Sequence, residues 1–444
     1  MSTRNNHSRR PHRNGTAPAE PPAPFALPAA PPEPATCLDL LARSARQPQR
    51  FQLASAARLL VNGGETFDAM LAAIDAAAVA VDIETYALQA DSVGTRFHDA
   101  LLRAAGRGVR VRLLYDYIGS RGLPPRFVRS LMQAGVAVAV YHPPVFGSIL
   151  RTMNRRNHRK LLLVDQRVLF AGGLNLTDEY AVPEEHGAGW RDTHARFDGR
   201  AVALAGERLF EHDWGHALAY PDTITRAARL KADVRKSLRG IITIRKLWRR
   251  SVDTLQSAIR DGSVPVQVVG NEEIRNRRAI HRSYLHAIRN ARRYVLIENA
   301  YFIPSRPIRH ALAQAVERGV QVAVAVPRTS DVPIVAYASR HLYAGLLAKG
   351  VRIFEWPHAM LHAKTAVIDD AWSVVGSYNL DRRSLFHQLE AVVLVIDPVF
   401  AGRLREQTLA DLQQCREVAR AQHEARPWRQ KLLESLAYLF RDWL

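Results

Sequence analysis

The sequence predicts an α/β protein built from two similar sandwich domains that face each other. Three observations lead there. At about 150 residues per domain, 444 residues make two or three domains, and 47% apolar residues are enough for full-sized cores. Over residues 50–220, and again over 263–420, strand-like runs alternate with helix-like runs, the pattern of an α/β sandwich. The two stretches also match each other in order and spacing.

Residues 1–36 are rich in Pro, with Arg, Asn and Ala and few branched apolar residues. Such a stretch cannot bury enough surface to offset its ordering entropy, so a disordered leader is expected. Its basic start is followed by no apolar run of about 7 to 15 residues, and no ordinary secretory signal is expected. The Ala-rich run around Met70 to Val81 is broken by Asp75 and Asp82, and no window reaches the roughly 18 apolar residues of a spanning helix. The chain is therefore expected at the cytoplasmic side, touching a membrane only peripherally. Within 50–220, AVAVDIETYAL, RGVRVRLLYD and AGVAVAVYHP read as strands separated by helices, and NHRKLLLVDQRVLFAGGLN as a hairpin. Within 263–420, RYVLIENAYFI, RGVQVAVAVP, KGVRIFEWP and LHAKTAVIDDAWSVVGSYN follow in the same order. The matched pairs Glu84/Glu298, Gly108/Gly319, Gly135/Gly350 and His158/His362 are offset by 214, 211, 215 and 204 positions. Near-constant offset with preserved order points to duplication. The Gly-Val matches alone would be weak, because Gly ends helices and Val starts strands in any α/β protein. The histidine segments carry the argument.

Between the halves lies a basic interdomain segment, 221–262. Residues 226–250 hold ten basic side chains and one acid, Asp233, with Leu230, Val234, Leu238, Ile241 and Trp248 at roughly helical spacing. This is a candidate basic amphipathic helix for an anionic membrane surface, or a solvated interdomain helix. At the end, 426–444 forms an amphipathic helix with Trp428, Leu432, Leu436, Leu439, Phe440 and Trp443 on one broad face. That face suits either the headgroup layer of a bilayer or the protein's own core.

The net charge of +20 calls for a polyanionic partner: nucleic acid, an anionic membrane or phosphate esters. Only Cys37 and Cys415 are present, which excludes a disulfide scaffold and a thiolate metal site. Each half contains His-x-Lys-x4-Asp and then Gly-Gly/Ser-x-Asn: His158, Lys160, Asp165, Gly173 and Asn175 in one, His362, Lys364, Asp369, Ser377 and Asn379 in the other. Residues two apart on extended chain share a side, so each His projects with its Lys. The chain has 55 Arg and 7 Lys, yet both basic motif positions are Lys. A solvated face would follow the Arg-rich composition, whereas a compact ammonium donating to a phosphate oxygen in a tight site is not replaced by a planar fork. Phosphodiester chemistry needs these groups. The lysines meet the diester charge, and Asn175, Asn379 and Ser377 can donate to its oxygens. One neutral imidazole attacks phosphorus while a protonated one serves the leaving alkoxide. No cofactor or metal is called for.

The paired segments resemble the phospholipase D superfamily, over roughly residues 60 to 400. The resemblance implies two phospholipase D-like α/β sandwiches meeting at a pseudo-twofold interface, and an acid downstream of each motif that orients an imidazole. Glu390, in RRSLFHQLE, fits the second ending, with Gln388 where Asn is usual; in the first half the candidate is Asp192 of GWRDTH, since His186 stands at the matching offset. IENAYFIPSRPIRHALAQAVERGVQVAVAVP, GLLAKGVRIFEW and GGLNLTDEY look like the bacterial cardiolipin synthases, the short type without transmembrane helices. This implies a phosphatidyltransferase that makes cardiolipin from phosphatidylglycerol, with phosphatidylethanolamine as a second lipid, through a phosphohistidine and without metal. By the same analogy His158 is the nucleophile and His362 the general acid. The alternatives are a hydrolase releasing phosphatidic acid and a nucleic-acid phosphodiesterase; no nucleic-acid partner is expected, because the basic residues concentrate in an apolar-faced segment. A binding-only protein is disfavoured by two intact motifs.

Overall fold

The computed structural model describes residues 25–27, 45–47, 50–143, 155–185, 187–219, 262–271 and 277–443. The basic segment 226–250 and most of the leader lie outside the described residues.

Two sheets form. In the first, the strand order is β2 (Ala56–Val61), β8 (Thr193–Asp198), β7 (Val168–Gly172), β6 (Leu161–Val164), β3 (Ala80–Thr85), β4 (Arg110–Asp116), β5 (Ala137–Tyr141). The second repeats it: β9 (Val264–Gly270), β15 (Ala391–Ile396), β14 (Trp372–Gly376), β13 (Lys364–Ile368), β10 (Tyr294–Asn299), β11 (Gln321–Pro327), β12 (Arg352–Trp356). In each, the first three strands after a connecting helix run parallel (β3, β4, β5 and β10, β11, β12), and the hairpin joins antiparallel. The duplication read from the sequence is thus a repeat of topology as well as of motif. Strands β3, β10, β13, β14 and β15 are buried at every position, β14 and β15 as mainly apolar runs and β3, β10 and β13 with buried polar side chains among the apolar ones.

One core lies on the outer side of each sheet, and a third lies between the sheets, where Leu163, Leu169 and Phe197 share a cluster with Leu296, Val367 and Val393. The helices Arg200–Leu218 and Pro398–Gln414 sit in this middle layer, supplying Phe210 and Phe400. Two small strands extend the second sheet. Strand β1 (Gln52–Ala54) leaves its own half to pair with Val264–Val266, and β16 (Arg416–Glu417) caps the far edge. Within the stretch expected to be a disordered leader, Phe25 instead packs edge-on against Phe354, ring centroids 5.8 Å apart, under the Arg352 guanidinium. Leu27 packs against the same core, so two apolar side chains of the stretch dock. No helix among the described residues is long and apolar enough to cross a membrane.

Candidate active site

Each hairpin turns on two residues of positive φ, Asp165-Gln166 and Asp369-Asp370, as a two-residue turn requires. Just before each hairpin the chain leaves its own sheet and pairs with the other half. The His158 amide donates to the Leu389 carbonyl, and the Leu389 amide to Arg156. In the mirror arrangement the His362 amide donates to Arg191, and the Arg191 amide to Met360. The acids are therefore exchanged. His158 Nδ1 lies 3.1 Å from Glu390 Oε2, and His362 Nδ1 lies 2.7 Å from Asp192 Oδ2. The sequence pairs one acid with each half; the structure has each half's acid holding the other half's histidine.

All six groups are buried. Lys160 Nζ donates back to the His158 carbonyl at 2.7 Å, and Lys364 does the same to His362. Burial lowers the Lys160 ammonium to about 7, against the pull of Glu390, and the Lys364 ammonium to about 8, against Asp192. Burial and then Lys160, Lys364, His362 and Arg383 push His158 well below the ordinary histidine value. His362 is lowered by burial and Lys364 to about 4, with Asp192 resisting. The two acids diverge. Burial raises Glu390 to about 8, whereas Lys364 and the His362 hydrogen bond outweigh burial and hold Asp192 below the usual carboxylate range. The acid beside one imidazole is thus shifted up and the acid beside the other down, in a site otherwise built from a repeat.

Several expected contributors stand elsewhere. Asp165 accepts backbone N–H groups of Ala78, Val79 and Ala80 at 3.0, 2.8 and 2.8 Å, and Asp369 those of Arg292, Arg293 and Tyr294 at 2.7, 2.8 and 2.9 Å. Both sit at the far end of their hairpin, because five residues of extended chain at about 3.3 Å each carry them about 16 Å from the lysine. They fasten the turn to the strand that enters the sheet and do not reach the site. Asn175 is behind His362: its amide donates to Tyr180 Oη at 3.0 Å and its carbonyl accepts from the Ala87 amide. Ser377 donates to Glu390 Oε2 and so supports the carboxyl, not a ligand. Its counterpart Gly173 leaves room for the other acid; a Cβ there would lie 2.2 Å from Asp192 Oδ1. Asn379 keeps an acceptor without a partner among the described residues, its side-chain oxygen Oδ1 being buried and unbonded.

Sequence reasoning missed the aromatic walls and the props behind the acids. Tyr180 Oη is 3.0 Å from His362 Nδ1, and Trp190 lies 5.6 Å away, ring centroid to ring centroid. Tyr86 meets His158 edge-on at 5.1 Å, and Tyr301 meets His362 at 6.4 Å. The repeat itself held the signal, since Tyr86 and Tyr301 follow the matched Glu84 and Glu298. Ser384 Oγ donates to Glu390 Oε1 at 2.8 Å, and Asn271 Oδ1 accepts the Glu390 amide at 2.6 Å. Asn271 also donates to the Gln388 carbonyl, so the departure from Asn at 388 leaves the loop anchored.

The family described as cardiolipin synthase, phospholipase D-like domain, matches residues 70–214 and 284–412, and phospholipase D matches 170–321. Cardiolipin synthase B of Salmonella typhimurium is 33% identical over 386 residues, covering 86% of this chain and 87% of its own. Cardiolipin synthase B of Escherichia coli K12 is 34% identical over 351 residues, covering 79% and 78%. Among solved structures, the phosphatidylserine synthase of Haemophilus influenzae superposes with a TM-score of 0.64 at 14% identity, covering 90% of this chain and 96% of that one, which bears on the fold alone. Matched in both halves around the crossed histidine–acid pairs, the chain belongs to the cardiolipin synthase family of the phospholipase D superfamily of enzymes.

Proposed function

We propose that the protein is a phosphatidyltransferase that joins two phospholipids into cardiolipin through a phosphohistidine. The observation that carries this reading is the pair of imidazoles held by exchanged acids, each with a buried lysine two residues on. His158, held neutral by burial and by the neighbouring Lys160, Lys364 and Arg383, with its Nδ1 on Glu390, is the nucleophile. Its Nε2 forms a bond to phosphorus as the phosphorus–oxygen bond to the headgroup breaks. His362, whose partner Asp192 is ionised, is the group better able to hold a proton, and gives it to the leaving alkoxide. The acceptor hydroxyl then returns a proton to His362 while its oxygen takes phosphorus from nitrogen. Before substrate enters, both histidines are neutral near pH 7; the diester anion raises His362 toward protonation and restores the lysine charges. Each ammonium about 4 Å from the diester contributes roughly 4 kcal/mol at an effective dielectric near 20.

Phosphatidylglycerol is the expected acceptor and donor, phosphatidylethanolamine a second donor, and the cytoplasmic face of the membrane the site of action. Labelled phosphatidylglycerol vesicles, with and without phosphatidylethanolamine, test this. Cardiolipin supports the transferase, and phosphatidic acid alone makes the protein a hydrolase. No lipid product, with turnover of single-stranded DNA or RNA, moves it to the nucleases. Chelation should leave the rate unchanged; loss in EDTA restored by a divalent ion defeats the metal-free step.

A further inference from the structure

The C-terminal helix, Trp428–Leu439, is docked the opposite way from an ordinary surface helix. Glu434 and Ala437 are buried against the body, Ser435 Oγ lies 3.2 Å from His341 Nδ1, and Tyr438 stacks on His341 at 4.5 Å. The apolar stripe faces out: Trp428, Leu432, Leu436, Leu439, Phe440 and Trp443 are 68, 49, 47, 67, 55 and 69% exposed. Beside this helix opens a cavity of about 570 Å³ lined by Arg278, Arg282, Arg306, Arg309, Arg382 and Arg441. Among the described residues, only Arg382 of these six pairs with a carboxylate, that of Asp442. Burial and Arg278, Arg282 and Arg289 push the neighbouring His281 down to about 4, so it adds no charge of its own. Ser305, Arg306 and Pro307 also line the cavity, so the positive end of the 12-residue helix Arg306–Glu317 opens into it, with no side chain capping it. Arg278 and Arg382 stack on Phe386, which with Tyr438 gives the cavity apolar walls.

We propose that this corner is a membrane-docking surface, in which the arginine cavity holds the phosphate headgroup of an anionic phospholipid while the 428–443 stripe lies in the headgroup–acyl boundary. Charge and polarity choose the occupant. An outward stripe ending in Trp at both ends suits the interfacial layer, and a cavity whose guanidinium groups, Arg382 aside, pair with no carboxylate among the described residues suits the phosphate beneath. The cavity also abuts the catalytic support. Arg382, Leu385 and Phe386 line it, and Ser384, between them on the same short helix, holds Glu390. A lipid bound there enters the membrane plane beside the site. The proposal rests on the lipid reading above only for its choice of ligand, and its test reads binding apart from turnover.

The test is co-sedimentation of the full chain with phosphatidylcholine vesicles and with vesicles carrying phosphatidylglycerol. Arg306→Glu and Arg282→Glu should each weaken binding to the anionic vesicles about thirtyfold, the change implied by removing one positive charge and adding a negative one at the surface. Leu436→Glu and Leu439→Glu should weaken binding to both kinds, with the thermal midpoint as the fold control. Anionic-vesicle binding equal to wild type in Arg306→Glu and Leu439→Glu overturns the proposal. So does displacement from vesicles by millimolar glycerol phosphate, which would make the cavity a site for a soluble phosphate, or a stripe-dependent dimer in sedimentation, which would make the stripe a contact between copies. Wild-type protein that binds vesicles but makes no cardiolipin sinks the functional reading and leaves this one standing.

Discussion

Replacing Asp165 with alanine removes the acceptor for three backbone donors, Ala78, Val79 and Ala80, at 3.0, 2.8 and 2.8 Å. Ala78 and Val79 lie on exposed chain, where water takes over the bond, so their loss amounts to a few tenths of a kcal/mol each. The Ala80 amide enters the buried strand β3, and leaving it unpaired costs about 1–3 kcal/mol. The sum is about 2–3 kcal/mol, or roughly 5–10 °C in midpoint for units of this size. These bonds hold the Asp165 carboxylate below its usual range against burial. A depressed folded value contributes stability that is present above the unfolded value of about 3.9 and is lost as pH falls below it, so the deficit of the variant should be full at pH 7 and shrink below about pH 4. Asp165→Asn, which keeps one acceptor oxygen, should lose about half as much. Because the carboxylate never reaches the histidines, kcat of the folded variant should stay within about threefold of wild type. Calorimetry across pH and a lipid-transfer assay on the same samples decide the matter. A wild-type midpoint with kcat down a hundredfold would refute the reasoning and return the aspartate to the chemistry.

Three more outcomes are expected. His158→Ala and His362→Ala each abolish transfer, and with a p-nitrophenyl diester, whose leaving group needs no proton, His362→Ala still accumulates phosphate on His158; peptide mapping that finds it on His362 of the wild type reverses the two roles. Lys160, lowered to about 7, and Lys364, to about 8, lose their charges on the alkaline side, so kcat/KM for an anionic diester should fall above about pH 8, chiefly through KM because a bound anion raises both; a profile flat to pH 10 contradicts this. Tyr180→Phe, which deletes the hydroxyl beside His362 Nδ1, should lower kcat about tenfold with little change in KM, as loss of one hydrogen bond to a charged group implies; a change confined to KM would place Tyr180 on the substrate instead.

Much of this architecture could be read from the chain, since strands buried on both faces leave mainly apolar runs and a duplicated order names its own partners. What escaped was whatever depends on the contact between halves. Nothing in Gln52–Ala54 tells that it pairs with Val264–Val266 across the interface, and the Pro-rich surroundings of Phe25 hide its place against Phe354. The spacing His-x-Lys-x4-Asp looks like one constellation, yet its pieces separate once the strand runs its length, so the histidines and lysines meet while the aspartates do not. Asn175 and Ser377 carry the right donors for a phosphate, but the structure spends both on holding Tyr180 and Glu390. The stripe of the last helix was legible as a stripe; its outward direction was not, because periodicity gives a face and never what the face meets.

The exchange of acids explains why so much buried charge lies behind the site. Arg159, next to His158, bonds Asp213 at 2.6 Å and the Glu390 carbonyl at 3.2 Å, while Arg191 bonds Asp411 at 2.9 Å and the Asp192 carbonyl at 2.5 Å. Each arginine thus clamps the backbone of an orienting acid to a middle-layer helix. Glu84 and Glu298, the matched residues of β3 and β10, sit beside these clusters and are raised by burial, Glu298 to about 8. A buried ion network is a poor source of stability, since well-packed apolar residues usually do as well. Its return here is register. Two strands that cross between halves must place a carboxyl oxygen within about 3 Å of an imidazole nitrogen, and apolar packing tolerates slips that a paired guanidinium does not. The duplication supplies identical scaffolds on both sides of the interface. The asymmetry between the halves lies around the acids: burial raises Glu390 although Ser377 and Ser384 donate to it, whereas Lys364 and the His362 hydrogen bond hold Asp192 low, with Gly173 leaving it room.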